Sequence, residues 1–168
     1  MRAKDVVFIG TMAAILLTVQ VALGFLPNIE LVSLLIILCT LVYGWKTLYI
    51  IYIFVFAEGF LYGFGLWWIN YLYVWIILML LIMVFRAKNS PYFWAVFSGF
   101  FGLGFGALCS ISYLFIGGVP MALSYWTSGI LFDVIHCIGN FIITLVLYRP
   151  LRNLLDRINR RWNVPQDR

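Results

Sequence analysis

Long apolar runs, broken at only a few points, dominate the pattern of hydrophobic and polar positions along this chain. They can be placed at residues 6–26, 29–45, 47–66, 67–85, 91–116 and 123–148. The breaks are Pro27-Asn28, Trp45-Lys46, the segment from Gly63 to Trp68, the segment from Arg86 to Pro91, and Gly117-Gly118-Val119-Pro120. Runs of about 20 apolar residues predict helices that cross a bilayer. The pattern therefore predicts an all-α membrane protein of six transmembrane helices.

The placement of positive charge favours six crossings over the competing count of five, which arises because only glycines divide the third and fourth runs. All 11 Lys and Arg residues fall in four places: the N-terminus (Arg2, Lys4), the second connection (Lys46), the fourth connection (Arg86, Lys88) and the tail (Arg149, Arg152, Arg157, Arg160, Arg161, Arg168). With six spans these places share one side of the membrane. Connections rich in Lys and Arg stay in the cytoplasm, so both termini are predicted to be cytoplasmic.

Composition supports the membrane class. The chain is 65% hydrophobic and 10% charged, whereas a soluble domain has roughly 25% charged residues. The net charge of +5 lies beside the apolar runs and not on a soluble face, so nucleic acid is not an expected partner. Cys39, Cys109 and Cys137 lie inside apolar runs without C-x-x-C spacing, which disfavours a disulfide framework or a thiolate metal site.

The segment after Pro150 has its own amphipathic pattern. Leu151, Leu154, Leu155, Ile158 and Trp162 recur at helical spacing with arginines between them. This predicts an interfacial amphipathic helix on the anionic cytoplasmic leaflet, with docking to a cytoplasmic partner as the alternative. The chain is thus divided into a six-helix domain, residues 1–150, and a cytoplasmic tail, residues 151–168.

Small residues line one face of the first predicted helix. Gly10, Ala14, Thr18 and Ala22 are spaced four apart. Such a stripe lets a second helix approach closely in lipid, so a first helix at the edge of the bundle would suit a separate membrane subunit. Similar pairs, Gly59/Gly63 and Gly102/Gly106, are interpreted as packing faces within the fold.

Ionisable residues at bilayer depth are few, and each is expected to have a hydrogen-bonding or charged partner or a function. They are Glu58, Asp133 and His136, with Glu30 at the start of the second helix. Asp133, His136 and Asn140 share one helical face, which indicates either a pair that fixes helix packing or the polar wall of a ligand cavity. A metal site is disfavoured because a third ligand would have to come from Glu58 or Glu30.

Aromatic residues crowd the same predicted outer half, at Trp67, Trp68, Tyr71, Tyr73, Trp75, Tyr125 and Trp126. An interfacial belt explains several of them, but their density predicts that some face inward and form flat walls for a planar heterocycle. No Lys or Arg is expected in that half, so a neutral or cationic ligand is favoured over an anion. The predicted binding residues are Glu58, Trp67, Trp68, Asn70, Trp126, Asp133, His136 and Asn140.

The sequence has no G-x-x-x-x-G-K-[ST] loop and no detectable internal repeat. ATP-driven work would therefore require another chain, and a single-chain inverted-repeat transporter is disfavoured.

Three segments carry a family resemblance. They are Leu26-Pro27-Asn28-Ile29-Glu30-Leu31-Val32, Trp67-Trp68-Ile69-Asn70-Tyr71, and Gly129-Ile130-Leu131-Phe132-Asp133-Val134-Ile135-His136. With six predicted helices in 168 residues, the chain resembles the S-components of energy-coupling factor transporters, which are the substrate-binding membrane subunits of vitamin importers. The likeness extends to about Pro150.

The resemblance implies a ligand site near the outer surface that is closed by outer loops. It also implies a prokaryotic plasma-membrane location and docking of the first helix on a transmembrane coupling subunit that works with two ATPases. The matching positions here are Gly10, Ala14 and Thr18, which keep the small size of the family's A-x-x-x-A face but not its alanines. Under this reading the chain is not an enzyme and holds no cofactor, while ATP is used by the partners.

Two other functions fit the same residues. One is a membrane-embedded enzyme that uses Asp133, His136 and Glu58 on a lipid-like substrate. The other is a proton-coupled carrier, or a structural membrane partner, in which Glu58 and Asp133 form a relay or hold helices together.

Overall fold

The fold is all-helical. A computed structural model describes residues 3–163, without the side chains of 162 and 163, and no β-strand occurs in that range. Its helices are α1 (Ala3–Leu23), α2 (Val32–Tyr43), α3 (Thr47–Tyr62), α4 (Leu66–Phe85) and α5 (Pro91–Asn163). Arg2, Arg168 and the end of the predicted tail lie outside the described residues.

Four helical segments are long and apolar enough to cross a membrane: Ala3–Leu23, Val32–Tyr62, Leu66–Phe85 and Pro91–Arg161. The second of these joins α2 to α3 through a 3-10 turn, Gly44–Lys46. Gly44 has φ 58°, a left-handed conformation that glycine adopts without a steric penalty. The prediction of an all-α chain with long apolar helices is confirmed, whereas the count of six crossings stays a prediction.

The longest helix, α5, is broken at Gly117 and Gly118. These two residues have non-helical backbone angles, and Gly118 has φ 69°. The parts on either side are called here the first arm (91–116) and the second arm (119–163). A β-carbon on Gly106 would meet Asp133, one on Gly102 would meet His136, and one on Gly99 would meet Cys137. Later residues of the first arm thus contact earlier residues of the second arm, so the two arms lie antiparallel.

Contacts at the helix ends give the directions of α1, α2 and α3. Lys46 Nζ is 2.7 Å from Asp5 Oδ1, so α3 begins where α1 begins. The rings of Phe8 and Tyr43 are in contact, with centroids 3.9 Å apart, so α2 ends there as well. The strongly hydrophobic α2 is the central helix, since every residue from Val32 to Thr40 is buried.

The tail differs from the expectation of a separate interfacial helix. The second arm continues as helix through Pro150 to Asn163. Leu155 is buried in the hydrophobic core and Leu151 packs against it. The tail therefore begins as an extension of α5 that is held by apolar contacts with the bundle.

Candidate functional site

Two cavities adjoin at the end of the bundle away from the Asp5–Lys46 pair. The first, about 170 Å³, lies beneath the loop that joins α1 to α2 and is lined by Gln20, Leu23, Gly24, Leu26, Pro27, Asn28, Ile29, Glu30, Tyr71, Trp75, Phe105 and His136. The second, about 260 Å³, is lined by Gln20, Gly24, Glu58, Tyr62, Trp67 and Tyr71. Because Gln20, Gly24 and Tyr71 line both, the two form neighbouring compartments, named here the His136 compartment and the Glu58 compartment.

One stripe of α4 forms the common aromatic wall. Trp67, Tyr71 and Trp75 are spaced four apart and therefore project from one helical face. Successive rings meet edge to face, with centroids 5.4 Å apart at both steps. The wall continues from Trp75 to Phe105 at 5.5 Å and from Phe105 to His136 at 5.0 Å. These rings offer flat apolar surfaces to a planar ligand.

A buried contact between a histidine and a carboxylate forms the polar end of the His136 compartment. His136 Nε2 is 3.2 Å from Glu30 Oε1, and the Ser33 backbone N–H donates to Glu30 Oε2 at 2.8 Å. Burial by itself raises the pKa of Glu30. The hydrogen bonds from His136 and Ser33 and the charge of His136 outweigh that effect, so the pKa of this carboxyl is lowered from its ordinary value.

Glu58 lies in a different electrostatic situation. Glu58 is 2% exposed, and its buried Oε2 has no hydrogen-bond partner among the residues that the structure describes. Gln20, Tyr62, Trp67 and Tyr71 surround the same compartment. Among the described residues that line either cavity, none is Lys or Arg. The compartment thus presents an unmatched carboxyl group within aromatic walls.

Asp133 and Asn140 lie on the second arm with His136, but they serve contacts between helices. Asp133 Oδ1 accepts a hydrogen bond from the Gly106 N–H at 2.9 Å, while Oδ2 is buried without a partner. Asn140 Nδ2 donates to Ser33 Oγ at 3.3 Å. Neither residue lines either of the two cavities. Both instead stabilise the packing of the helices around the cavities.

Trp68, Asn70 and Trp126 also lie outside the two cavity linings. Trp68 Nε1 donates to the Val55 carbonyl at 3.0 Å and thereby ties α4 to α3. Asn70 is buried beside the Tyr73 hydroxyl, at 3.1 Å. Trp126 is 39% exposed on the outside of the second arm. Glu58, Asp133 and Trp126 were expected to line one shared cavity. Of the three, only Glu58 lines either of these two cavities.

Glycines on the first arm determine where His136 lies. A β-carbon on Gly102 would be 2.9 Å from the carbonyl carbon and oxygen of His136, and one on Gly106 would overlap the Asp133 carboxylate. Only a residue without a side chain allows this approach. The pair Gly102/Gly106 therefore packs helices within the fold and holds His136 against the cavity.

Sequence reasoning left out several lining residues, chiefly Gln20, Glu30, Tyr71, Trp75 and Phe105. The four-residue spacing of Trp67, Tyr71 and Trp75 was a usable signal for a shared face. Glu30 and Phe105 carried no such signal, because their approach to His136 depends on how distant helices pack.

The predicted docking stripe lies on the surface. Gly10, Ala14 and Thr18 are all exposed, and a β-carbon on Gly10 would have no atom within 4 Å. The buried residues of α1, Phe8, Ile9, Met12, Ala13 and Leu16, lie on its other face. The small-residue face of α1 is therefore open within this chain.

Comparison with known proteins gives no relative: no family model, no curated protein and no solved structure matches this chain.

Proposed function

We propose that this protein is the substrate-binding subunit of an energy-coupling factor importer for a vitamin or vitamin precursor. The observation that carries the proposal is the pair of adjoining cavities, which combine an aromatic wall with two carboxyl groups and a histidine. A concave, mostly apolar site with a few convergent polar groups is the usual form of a small-molecule site. The ligand proposed is a neutral or cationic aromatic heterocycle.

The location of the cavities supports a site that opens toward the outer surface. The loop from Gly24 to Glu30 covers the His136 compartment. At the opposite end lie Lys46 and, by sequence, the other Lys and Arg residues, which the positive-inside rule assigns to the cytoplasm. We propose six crossings of a prokaryotic plasma membrane, with α2, α3 and the two arms of α5 as separate spans and both termini inside.

The open face of α1 supports a partner in the membrane. Gly10, Ala14 and Thr18 are exposed and small, so another helix can approach their backbone closely. In this proposal that face docks on a transmembrane coupling subunit served by two ATPases, since no nucleotide-binding loop occurs in the sequence. The chain itself acts as a binding protein and not as an enzyme.

Affinity purification of the tagged protein from its native membranes tests the proposal. We expect co-purification of a second membrane protein and an ATPase pair, and ATP-dependent uptake only when all are reconstituted together. Uptake by this chain alone in liposomes would instead support a carrier, and turnover of a lipid-like substrate would support the enzyme.

A further inference from the structure

Two carboxyl groups line the adjoining cavities, and among the described residues only Glu30 has hydrogen-bonding partners for both of its oxygens. Glu30 is paired with His136 and accepts the Ser33 N–H. Glu58 has a buried oxygen with no hydrogen-bond partner, and the other residues around its compartment are uncharged. An unmatched buried carboxylate is unfavourable, so a group that supplies positive charge or a hydrogen bond would stabilise it.

The shape of the Glu58 compartment favours positive charge. Tyr62, Trp67 and Tyr71 line it together with Glu58. Aromatic faces attract organic cations, most strongly where water is excluded, and a carboxylate among such faces adds charge attraction. A neutral hydrogen-bond donor would satisfy Glu58 and could stack on the rings, but it would lack the added attraction between a cation and the ring faces.

We infer that the Glu58 compartment is a monocation site: the ligand carries one positive charge, as an ammonium or an N-alkylated heterocyclic nitrogen, held by Glu58 among Tyr62, Trp67 and Tyr71. The uncharged polar part of the ligand then faces the Glu30–His136 pair across Tyr71. This inference rests on the proposed function and narrows the proposed ligand from a neutral or cationic heterocycle to a cationic one.

The geometry limits the ligand to one cation. Tyr71 lines both compartments, so the compartments are close together. Glu30 already has partners in His136 and the Ser33 N–H, so the His136 compartment offers no unmatched carboxylate to a second positive charge. A second positive charge on the ligand would therefore find no comparable partner in the His136 compartment.

Calorimetric titration with two compounds of matched shape tests the charge directly. 1-Methylnicotinamide is a cation, and 3-methylbenzamide is its neutral counterpart with carbon in place of the ring nitrogen. The purified wild-type protein should bind the cation at least about tenfold more tightly. Glu58→Gln should remove that preference and leave the affinity for the neutral compound within about twofold.

Two further variants serve as controls for the calorimetric comparison of the two compounds. Asp156→Asn, which removes a carboxylate in the tail, should bind the cation in preference to the neutral compound as strongly as the wild type does. Trp67→Leu should reduce the preference while Glu58 is intact, which covers the case in which Glu58→Gln fails to fold. Equal binding of the two compounds by wild type, binding of neither, or an unchanged preference in a folded Glu58→Gln protein would overturn the inference.

Failure of the charge inference is separable from failure of the proposed function. A protein that co-purifies with its ATPase pair but prefers the neutral compound would keep the function and lose the monocation site. A protein that prefers the cation but transports alone would keep the site and lose the function.

Discussion

His136 Nε2 lies 3.2 Å from Glu30 Oε1 and joins the second arm of α5 to the loop that precedes α2. Both side chains are nearly inaccessible, with exposed fractions of 4% and 11%. The contact closes one end of the cavity and places the imidazole against Phe105. The pair is therefore both a structural link between distant parts of the chain and a wall of the proposed site.

Removing one member of this pair should destabilise the protein. We expect Glu30→Gln to lower the free energy of unfolding in detergent by about 1.5–3 kcal/mol, because the carboxylate that pairs with His136 and accepts the Ser33 N–H is lost. Adding His136→Gln should recover part of that loss. The partly exposed i,i+4 pair Arg152–Asp156 is the control, since its loss by Asp156→Asn should cost only about 0.3–0.5 kcal/mol. Strictly additive losses in the double variant would contradict the pairing.

A methyl group at Gly102 should displace His136. Its β-carbon would be 2.9 Å from the His136 carbonyl, so Gly102→Ala must separate the two arms and is expected to cost about 1–3 kcal/mol of stability. Ligand affinity should fall as well. Gly104→Ala is the matched control, because a β-carbon there meets nothing within 4 Å. A Gly102→Ala protein as stable and as tightly binding as Gly104→Ala would show that the arms are not so close.

The aromatic wall gives a prediction that is separate from stability. Trp67→Leu should weaken ligand binding about three- to tenfold by removing one ring face. Its effect on thermal stability should be small because Trp67 is only half-buried. Trp45→Leu, in the turn at the opposite end, is the control and should leave affinity unchanged. Equal affinities for the two variants would remove Trp67 from the site.

Cysteine labelling in intact cells distinguishes six crossings from the competing count of five. In a background without Cys39, Cys109 and Cys137, Ser90→Cys should resist an impermeant reagent because six spans put the α4–α5 loop inside. Phe25→Cys, in the α1–α2 loop, should react under either count. Rapid labelling of Ser90→Cys from outside would favour five crossings, the count in which the third and fourth apolar runs form one span.

The small-residue face of α1 should matter for assembly and not for binding. Ala14→Trp is expected to abolish co-purification with the proposed coupling subunit, because the side chain would prevent close helix approach. Val96→Trp, also on an exposed surface, should leave assembly intact. Both proteins should bind ligand like wild type. Undiminished co-purification of Ala14→Trp would argue against docking on this face.

The parts of the fold that depend on local pattern were predictable from sequence. Apolar runs and glycines marked the helices, and the predicted run at 91–116 coincides with the first arm. The continuation of helix through Pro150 was not foreseen, because burial of Leu155 against the bundle depends on tertiary packing. Proline marks a break only where such packing does not override it.

The site was only partly predictable for the same reason. Glu58, Trp67 and His136 do line the two cavities. Trp126 was included because of aromatic density near the predicted surface, yet it lies outside, as residues of an interfacial belt do. Glu30 lies 106 positions from His136, and nothing in a single sequence gives their distance.

Native mass spectrometry of the gently extracted wild-type protein tests the central claim most directly. The account predicts one small aromatic molecule retained per protein chain, released on unfolding, in a complex that also contains a membrane partner and an ATPase pair. A folded protein that carries no small molecule, is isolated without partners, and moves solutes by itself in liposomes would contradict it.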